Sequence, residues 1–241
     1  MNKLILCEGE TDAILLSYYL EKTAGWNYSS KPPQNLSIQT TAQNETVNWY
    51  KKDENYLMIC AVGGKDNFGN FFNKKIKNPL LLSDAFAKIA FVTDRDERDA
   101  ASIETALSSA LQEFDVVLKN NQWVDCSYTN DFGMDKKLQA LLVVIPTERQ
   151  GALETVMLSA IAENEYDKNI VAKVGIFADQ MRVEASRYIF SERLKLKAHL
   201  GLTWAVQYPE KVFTKIDEQI RNVRWEESES LHTCFAVLTE I

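Results

Sequence analysis

The chain has 241 residues, 46% of them hydrophobic and 25% charged, with 34 acidic against 27 basic side chains and a formal net charge of -7. This length holds one sizeable core, or a domain with an appended subdomain, in an ordinary globular composition. No apolar run approaches the ~20 residues of a membrane span. Two histidines leave little material for a zinc cage or a histidine-based triad, and the negative balance argues against non-specific coating of nucleic acid.

Lys3 to Glu8 reads as a short buried strand that ends in a carboxylate, followed by Gly9 for a tight turn. Met1-Asn2-Lys3 runs straight into it without the features of a signal peptide, so a cytoplasmic location is expected. A helix is predicted from about Asp12 to Lys22, with Ala13, Leu16, Tyr19 and Leu20 at helical spacing and Gly25 closing it. Glu8 and Asp12 bracket the turn and can face one crevice.

Residues 26–55 are rich in Asn, Gln, Ser, Thr and Lys, and read as a polar surface insertion or loose hairpin. Its aromatics Trp26, Tyr28, Trp49 and Tyr50 either stack on bases or pin the segment to the core. Tyr56 to Val62 is the next strand, and Gly63-Gly64-Lys65 after it would let backbone approach a phosphate, with Lys65 a weak candidate for phosphate contact. Phe68, Phe71 and Phe72 interleave with Lys74, Lys75 and Lys77. They either line a nucleic-acid path or form an amphipathic helix with a solvated basic face.

Lys88 to Val92 is a third apolar strand, and Asp94, Asp96 and Asp99 follow within a few residues. Carboxylates at the carboxyl edge of a parallel sheet lie where ligands bind. If the segment stays extended, Asp94 and Asp96 share one face and offer hard oxygen ligands to Mg2+ or Mn2+. The competing explanation is an acidic first turn that favours a helix dipole.

Glu8-Gly9-x-x-Asp12 after the first strand, with Asp94-x-Asp96 after a later one, resembles the Toprim domain. That domain occurs in type IA and II topoisomerases, bacterial primases, RNase M5-like maturases, recombination-associated proteins and overcoming-lysogenization-defect (OLD) nucleases. The resemblance extends over about residues 1–160. It implies a glutamate and an Asp-x-Asp pair that bind Mg2+ or Mn2+ for phosphodiester chemistry, with Glu8 alternatively acting as general acid or base.

Ala100 to Phe114 is predicted helical, Gln122 to Gly133 irregular, and Leu138 to Pro146 a fourth buried strand. Glu148 and Glu154 follow it, ahead of a helix over Thr155–Glu163. Glu154 is the stronger candidate for a second metal, with dipole capping as the alternative. Beyond about 165 the chain is helical. A late lysine acts near the scissile phosphate in OLD-like enzymes, and the resemblance points to Lys197 or Lys195 here, with a solvated helix face as the alternative. Cys7 and Cys60 fall inside strands and read as small core residues.

The expected architecture is α/β: a Toprim-like open sheet of about four mainly parallel strands with helices on both faces. It would span residues 1–164, with a helical extension over 165–241 packed on it. The expected activity is metal-dependent hydrolysis of DNA or RNA, with a separate ATPase and a homodimer among the partners and no membrane association. The alternative is a regulatory Toprim protein that binds metal or nucleotide without hydrolysis. A third possibility, that the acids only cap helices, predicts no metal affinity.

Overall fold

The computed structural model describes residues 2–34, 36–111, 114 and 116–241. The chain divides into two compact units: unit 1 holds Met1–Asp94, Arg98–Val144 and Phe235–Ile241, and unit 2 holds Arg95–Glu97 and Ile145–Cys234.

Unit 1 is built on a sheet. Its strands are β1 (Asn2–Cys7), β2 (Asn27–Ser29), β3 (Thr46–Lys52), β4 (Asn55–Ala61), β5 (Lys88–Asp94), β6 (Val124–Thr129) and β7 (Asp135–Ile145). They form one seven-stranded sheet in the order β2-β3-β4-β1-β5-β7-β6. β1 pairs in parallel with β4 and β5, whereas β2–β3, β3–β4 and β6–β7 are antiparallel. The expectation of about four mainly parallel strands is therefore corrected to a seven-stranded mixed sheet with a parallel centre. Strand β1 is buried on both faces, Leu4 through Cys7 all being closed to solvent, as parallel strands covered on both sides must be.

Two segments read as irregular supply the extra strands. The polar insertion contributes β2 and β3, and its aromatics Trp26, Trp49 and Tyr50 are buried, so they pin it to the core; Tyr28 is exposed. The stretch 122–133 contains β6, in which Cys126 and Tyr128 are buried and their neighbours exposed.

The helices of unit 1 are α1 (Glu10–Ala24), α2 (Phe68–Phe71), α3 (Lys77–Ser83) and α4 (Ala100–Ala110), with a π-helical turn over Phe72–Ile76. The predicted continuation of α4 over residues 112 and 113 lies outside the described residues. Helix α1 ends where Gly25 adopts the left-handed conformation (φ 75°) and its N–H closes on Glu21 and Leu20 carbonyls, the usual glycine stop. Phe68, Phe71 and Phe72 are buried in the main cluster with Phe91 and Phe114. The aromatic residues thus face inward and only the lysines remain for solvent, which removes the base-stacking path. Phe72 meets Phe114 edge to face at 5.5 Å or less between centroids, and Phe114 meets Tyr128 likewise, each such pair contributing about 0.5–1.5 kcal/mol beyond its area.

Unit 2 contains α5 (Leu153–Ile161), α6 (Glu165–Glu184), α7 (Glu192–Gln207), α8 (Ile216–Ile220) and α9 (Glu229–Phe235), the last residue of α9 belonging to unit 1. Asn164 caps α6 by accepting from Tyr166 and Asp167 N–H, and Ser191 caps α7 by accepting from Leu194 N–H. Among the described residues, no helix is long and apolar enough to cross a membrane.

Candidate functional site

The parallel register of β1 and β5 pairs Cys7 with Val92, so Glu8 leaves the sheet beside Thr93. The Glu8 side chain is 1% exposed, and its Oε1 accepts from Thr93 Oγ1 at 2.7 Å and from the Asp94 N–H at 2.9 Å. These two donors fix the rotamer of the carboxylate at the sheet edge. Asp94, at the end of β5, is 3% exposed. Asp12 is buried in the first turn of α1, where its Oδ2 accepts from Gly9 N–H at 3.1 Å. A carboxylate that caps its own helix turn meets the positive end of the dipole.

These three acids influence one neighbour together. Burial pushes the Cys7 thiol well above its ordinary value, and the charges of Asp12, Glu8 and Asp94 add to that push, as does Cys60. A thiol so placed stays protonated, and its Sγ donates to the Cys60 carbonyl at 3.3 Å.

The main chain of Glu8 is held as firmly as its side chain. Its carbonyl accepts from both Gly63 N–H, at 3.0 Å, and Gly64 N–H, at 2.9 Å. The expected phosphate cradle is therefore corrected: both glycine amides already point at Glu8, so they position that residue instead of awaiting a ligand. Gly63 and Gly64 have φ of 80° and 122°, which favour glycine. The Gly63 carbonyl in turn accepts from the Asn44 and Asn67 carboxamides, each at 2.9 Å. Lys65 begins the short 3-10 turn that follows, Lys65–Asn67.

Asp96 and Glu154 belong to unit 2. Asp96 has φ 53° and exchanges backbone hydrogen bonds with Gly151, its N–H donating at 2.6 Å and its carbonyl accepting at 3.0 Å. The extended geometry expected to set Asp94 and Asp96 on one face is thus absent, because the chain turns left-handed two residues after the strand. Glu154 lies in the first turn of α5, 8% exposed, and its Oε2 has no hydrogen-bond partner among the described residues. Such an oxygen is costly to bury and is a fitting ligand for a cation.

Of the two lysines on α7, Lys197 is exposed. Lys195 is engaged with Glu192 at 2.7 Å and Asp179 at 2.9 Å. Burial lowers the Lys195 pKa, but the hydrogen bonds and charges of Glu192 and Asp179 outweigh that and hold it above the ordinary lysine value. It is a structural cation, and Lys197 is left as the candidate. Glu148 is exposed.

Among the described residues, no three or more His, Cys, Asp or Glu side chains are gathered into a group that could hold a metal ion. A zinc-like cage is therefore not what these acids form. Mg2+ is bound differently, through one or two carboxylates with water and substrate phosphate completing its shell. The buried, hydrogen-bonded Glu8 next to Asp94 fits that donor set.

Sequence reasoning missed Thr93, Asn44 and Asn67. Thr93 stood directly before Asp94 and could have been noticed; Asn44 and Asn67 carry no local signal, since their role exists only once distant segments meet.

Comparison with known proteins adds three findings. Residues 2–239 match the model of a family described as protein of unknown function (DUF3226). A solved structure, hypothetical protein PH0156 from Pyrococcus horikoshii OT3, aligns with 91% of this chain and 95% of its own, at 17% identity and a TM-score of 0.47. No curated protein matches the chain.

Proposed function

The chain belongs to the family described as protein of unknown function (DUF3226), and we propose from its own residues that it hydrolyses phosphodiester bonds of DNA or RNA with Mg2+ or Mn2+. The observation that carries this reading is Glu8: a carboxylate buried at the carboxyl end of a central parallel strand, its rotamer fixed by Thr93 and Asp94 and its carbonyl by Gly63 and Gly64. A carboxylate kept only for helix capping needs no such bracing from two neighbouring strands. The likeness of Glu8-Gly9-x-x-Asp12 and Asp94-x-Asp96 to the Toprim pattern supports the same reading, including a Toprim-like centre to the sheet.

Glu8 and Asp94 would hold the cation, and Asp12 would fix the Gly9 turn that aims Glu8. When bound, the cation supplies polarisation of a phosphoryl oxygen and a lowered pKa for bound water. The Toprim resemblance offers Glu8 a second role as general acid or base. Asp96 and Glu154 are the candidates for a second cation, Lys197 and Lys65 for phosphate contact. A separate ATPase partner follows from the OLD-like resemblance.

The test is cleavage of labelled single- and double-stranded DNA and RNA with Mg2+ or Mn2+, beside Glu8→Ala and Asp94→Ala. Activity that disappears in both variants and with chelator supports the nuclease. Activity unchanged by the substitutions refutes it. Metal binding that needs Glu8 but gives no cleavage of any substrate supports the regulatory alternative.

A further inference from the structure

The chain is acidic as a whole, yet the amino edge of the sheet in unit 1 gathers cations. Lys3 of β1 is level with Lys88 of β5 on one side and with Leu57 of β4 on the other. Leu57 is level with Tyr50 of β3, and Lys52, two residues past Tyr50, pairs with Asn55. Residues level across a sheet share a face, as do residues two apart along a strand. Lys3, Lys52 and Lys88 therefore stand on one face, Lys3 and Lys88 on adjoining strands about 4.8 Å apart. Glu8 follows the opposite end of β1, about 16 Å along the strand from Lys3.

No acid answers these charges. Among the described residues, none of Lys3, Lys52 and Lys88 takes part in an ion pair. Asp53 and Glu54 lie in the exposed turn beyond Lys52 without pairing to it, and Asp125 on β6 is occupied by the Gln139 carboxamide at 3.0 Å. The ammonium groups rest on rings instead. Lys3 Nζ lies 5.1 Å from the centre of the Trp26 ring and Lys88 Nζ 4.6 Å from that of Trp123, while Lys88 also donates to the Glu240 carbonyl at 2.6 Å. The buried Trp26 N–H has no acceptor among the described residues. Burial, and then the charges of Lys88 and Lys52, hold the Lys3 pKa below the ordinary lysine value, so the three cations repel one another. Like charges side by side in a sheet are destabilising, and an anion placed between them reverses that sign.

We propose that Lys3, Lys52 and Lys88 form a binding site for a run of two or more phosphate groups at the amino edge of the sheet. The donor set indicates the class. Lysines bind phosphate as point charges and lack the planar fork that matches a carboxylate. Lys52 lies two strands and two residues from Lys3, about 12 Å between Cα atoms, a spread that suits successive phosphates better than a single ion. A linear polyphosphate and the backbone of a nucleic-acid strand present the same groups. The inference does not rest on the nuclease reading, since binding here needs neither a metal cation nor Glu8.

The experiment is calorimetric titration of the full chain, with chelator present, by tripolyphosphate and separately by a short single-stranded oligothymidylate. Chelator removes any contribution of a cation at Glu8. Binding of at least one probe is expected, weakened about five- to tenfold by Lys52→Gln and by Lys3→Gln. Lys74→Gln, which removes the same charge from another exposed position of unit 1, should change nothing. Lys52 is exposed, so its substitution spares the core, and circular dichroism checks the fold of both variants. Lysine-dependent binding of tripolyphosphate alone assigns the site to free polyphosphates, and lysine-dependent binding of the oligonucleotide assigns it to a nucleic-acid backbone. A wild type that binds neither probe overturns the proposal. So do Lys3 and Lys52 variants that bind as the wild type does, or a Lys74→Gln variant weakened as much as they are.

Discussion

The carboxamide of Asn44 donates to the carbonyl of Gly63 at 2.9 Å, tying the polar segment 26–55 to the turn whose amides hold Glu8. Gly63 has φ 80°, and a Cβ added there would lie 2.5 Å from Asn44 Nδ2. Gly63→Ala therefore meets backbone strain and a clash together. We expect it to lower stability by about 1–3 kcal/mol, read from denaturant unfolding. Asn44→Ala removes one of two donors to the same carbonyl, with Asn67 remaining. Its expected cost is smaller, about 0.5–1.5 kcal/mol. Equal costs for the two would mean that the left-handed turn is not the constraint.

Cation binding at Glu8 and Asp94 should be visible as stability, without any substrate. A ligand that binds only the folded chain adds about 2.7 kcal/mol at a hundred times its dissociation constant. The thermal midpoint should rise with Mn2+ in the wild type and stay flat in Glu8→Gln and Asp94→Asn. A wild type whose midpoint ignores Mn2+ would remove the metal from the account.

The folded chain should resist thiol reagents. All four cysteines are buried, and burial with neighbouring acids keeps the Cys7 thiol protonated, so the reactive thiolate is scarce. Native protein should label slowly and unfolded protein at all four positions. Rapid native labelling at Cys7 would mean that the carboxyl end of the central strand β1 opens readily.

A pH dependence follows from Glu163 in unit 2. Burial raises its pKa, but donors from Ser230, Ser228 and Glu229 outweigh this and hold it below the ordinary glutamate range. With the folded value depressed, the unfolded chain binds the proton more readily. Glu163 thus stabilises the fold above the unfolded value of about 4.3, and that contribution is lost as pH falls through the folded value. Glu163→Gln should flatten the acid limb of a stability–pH profile, and an unchanged limb would assign the loss to other groups.

What the sequence made legible was the centre of the sheet. Leu4 to Cys7 and Ile89 to Val92 are continuous apolar runs, and each ends in an acid that the structure buries, Glu8 and Asp94. The edges were harder because their signal is weaker. β6 alternates buried Cys126 and Tyr128 with exposed Asp125, Ser127 and Thr129, and only two buried positions mark it. β3 holds just Trp49 and Tyr50 fully inside. The bracing of Glu8 was not readable at all, since its donors come from residues 63, 64, 93 and 94, which meet Glu8 only through the parallel pairing of distant strands. Asp96 misled because spacing alone cannot show that its φ would turn positive.

Unit 1 is closed by its own final segment. Tyr19 packs edge to face on Phe235 at 5.5 Å, Trp123 Nε1 donates to the Val237 carbonyl at 3.2 Å, and Lys88 Nζ donates to the Glu240 carbonyl at 2.6 Å. Between Val144 and Phe235 the chain is occupied in building unit 2. A ribosome making 5–20 residues per second therefore leaves the nascent sheet without its last contacts for on the order of ten seconds. Unit 2 is made during that interval, so translation order completes the helical unit, inserted within the sequence of the sheet unit, before the sheet unit.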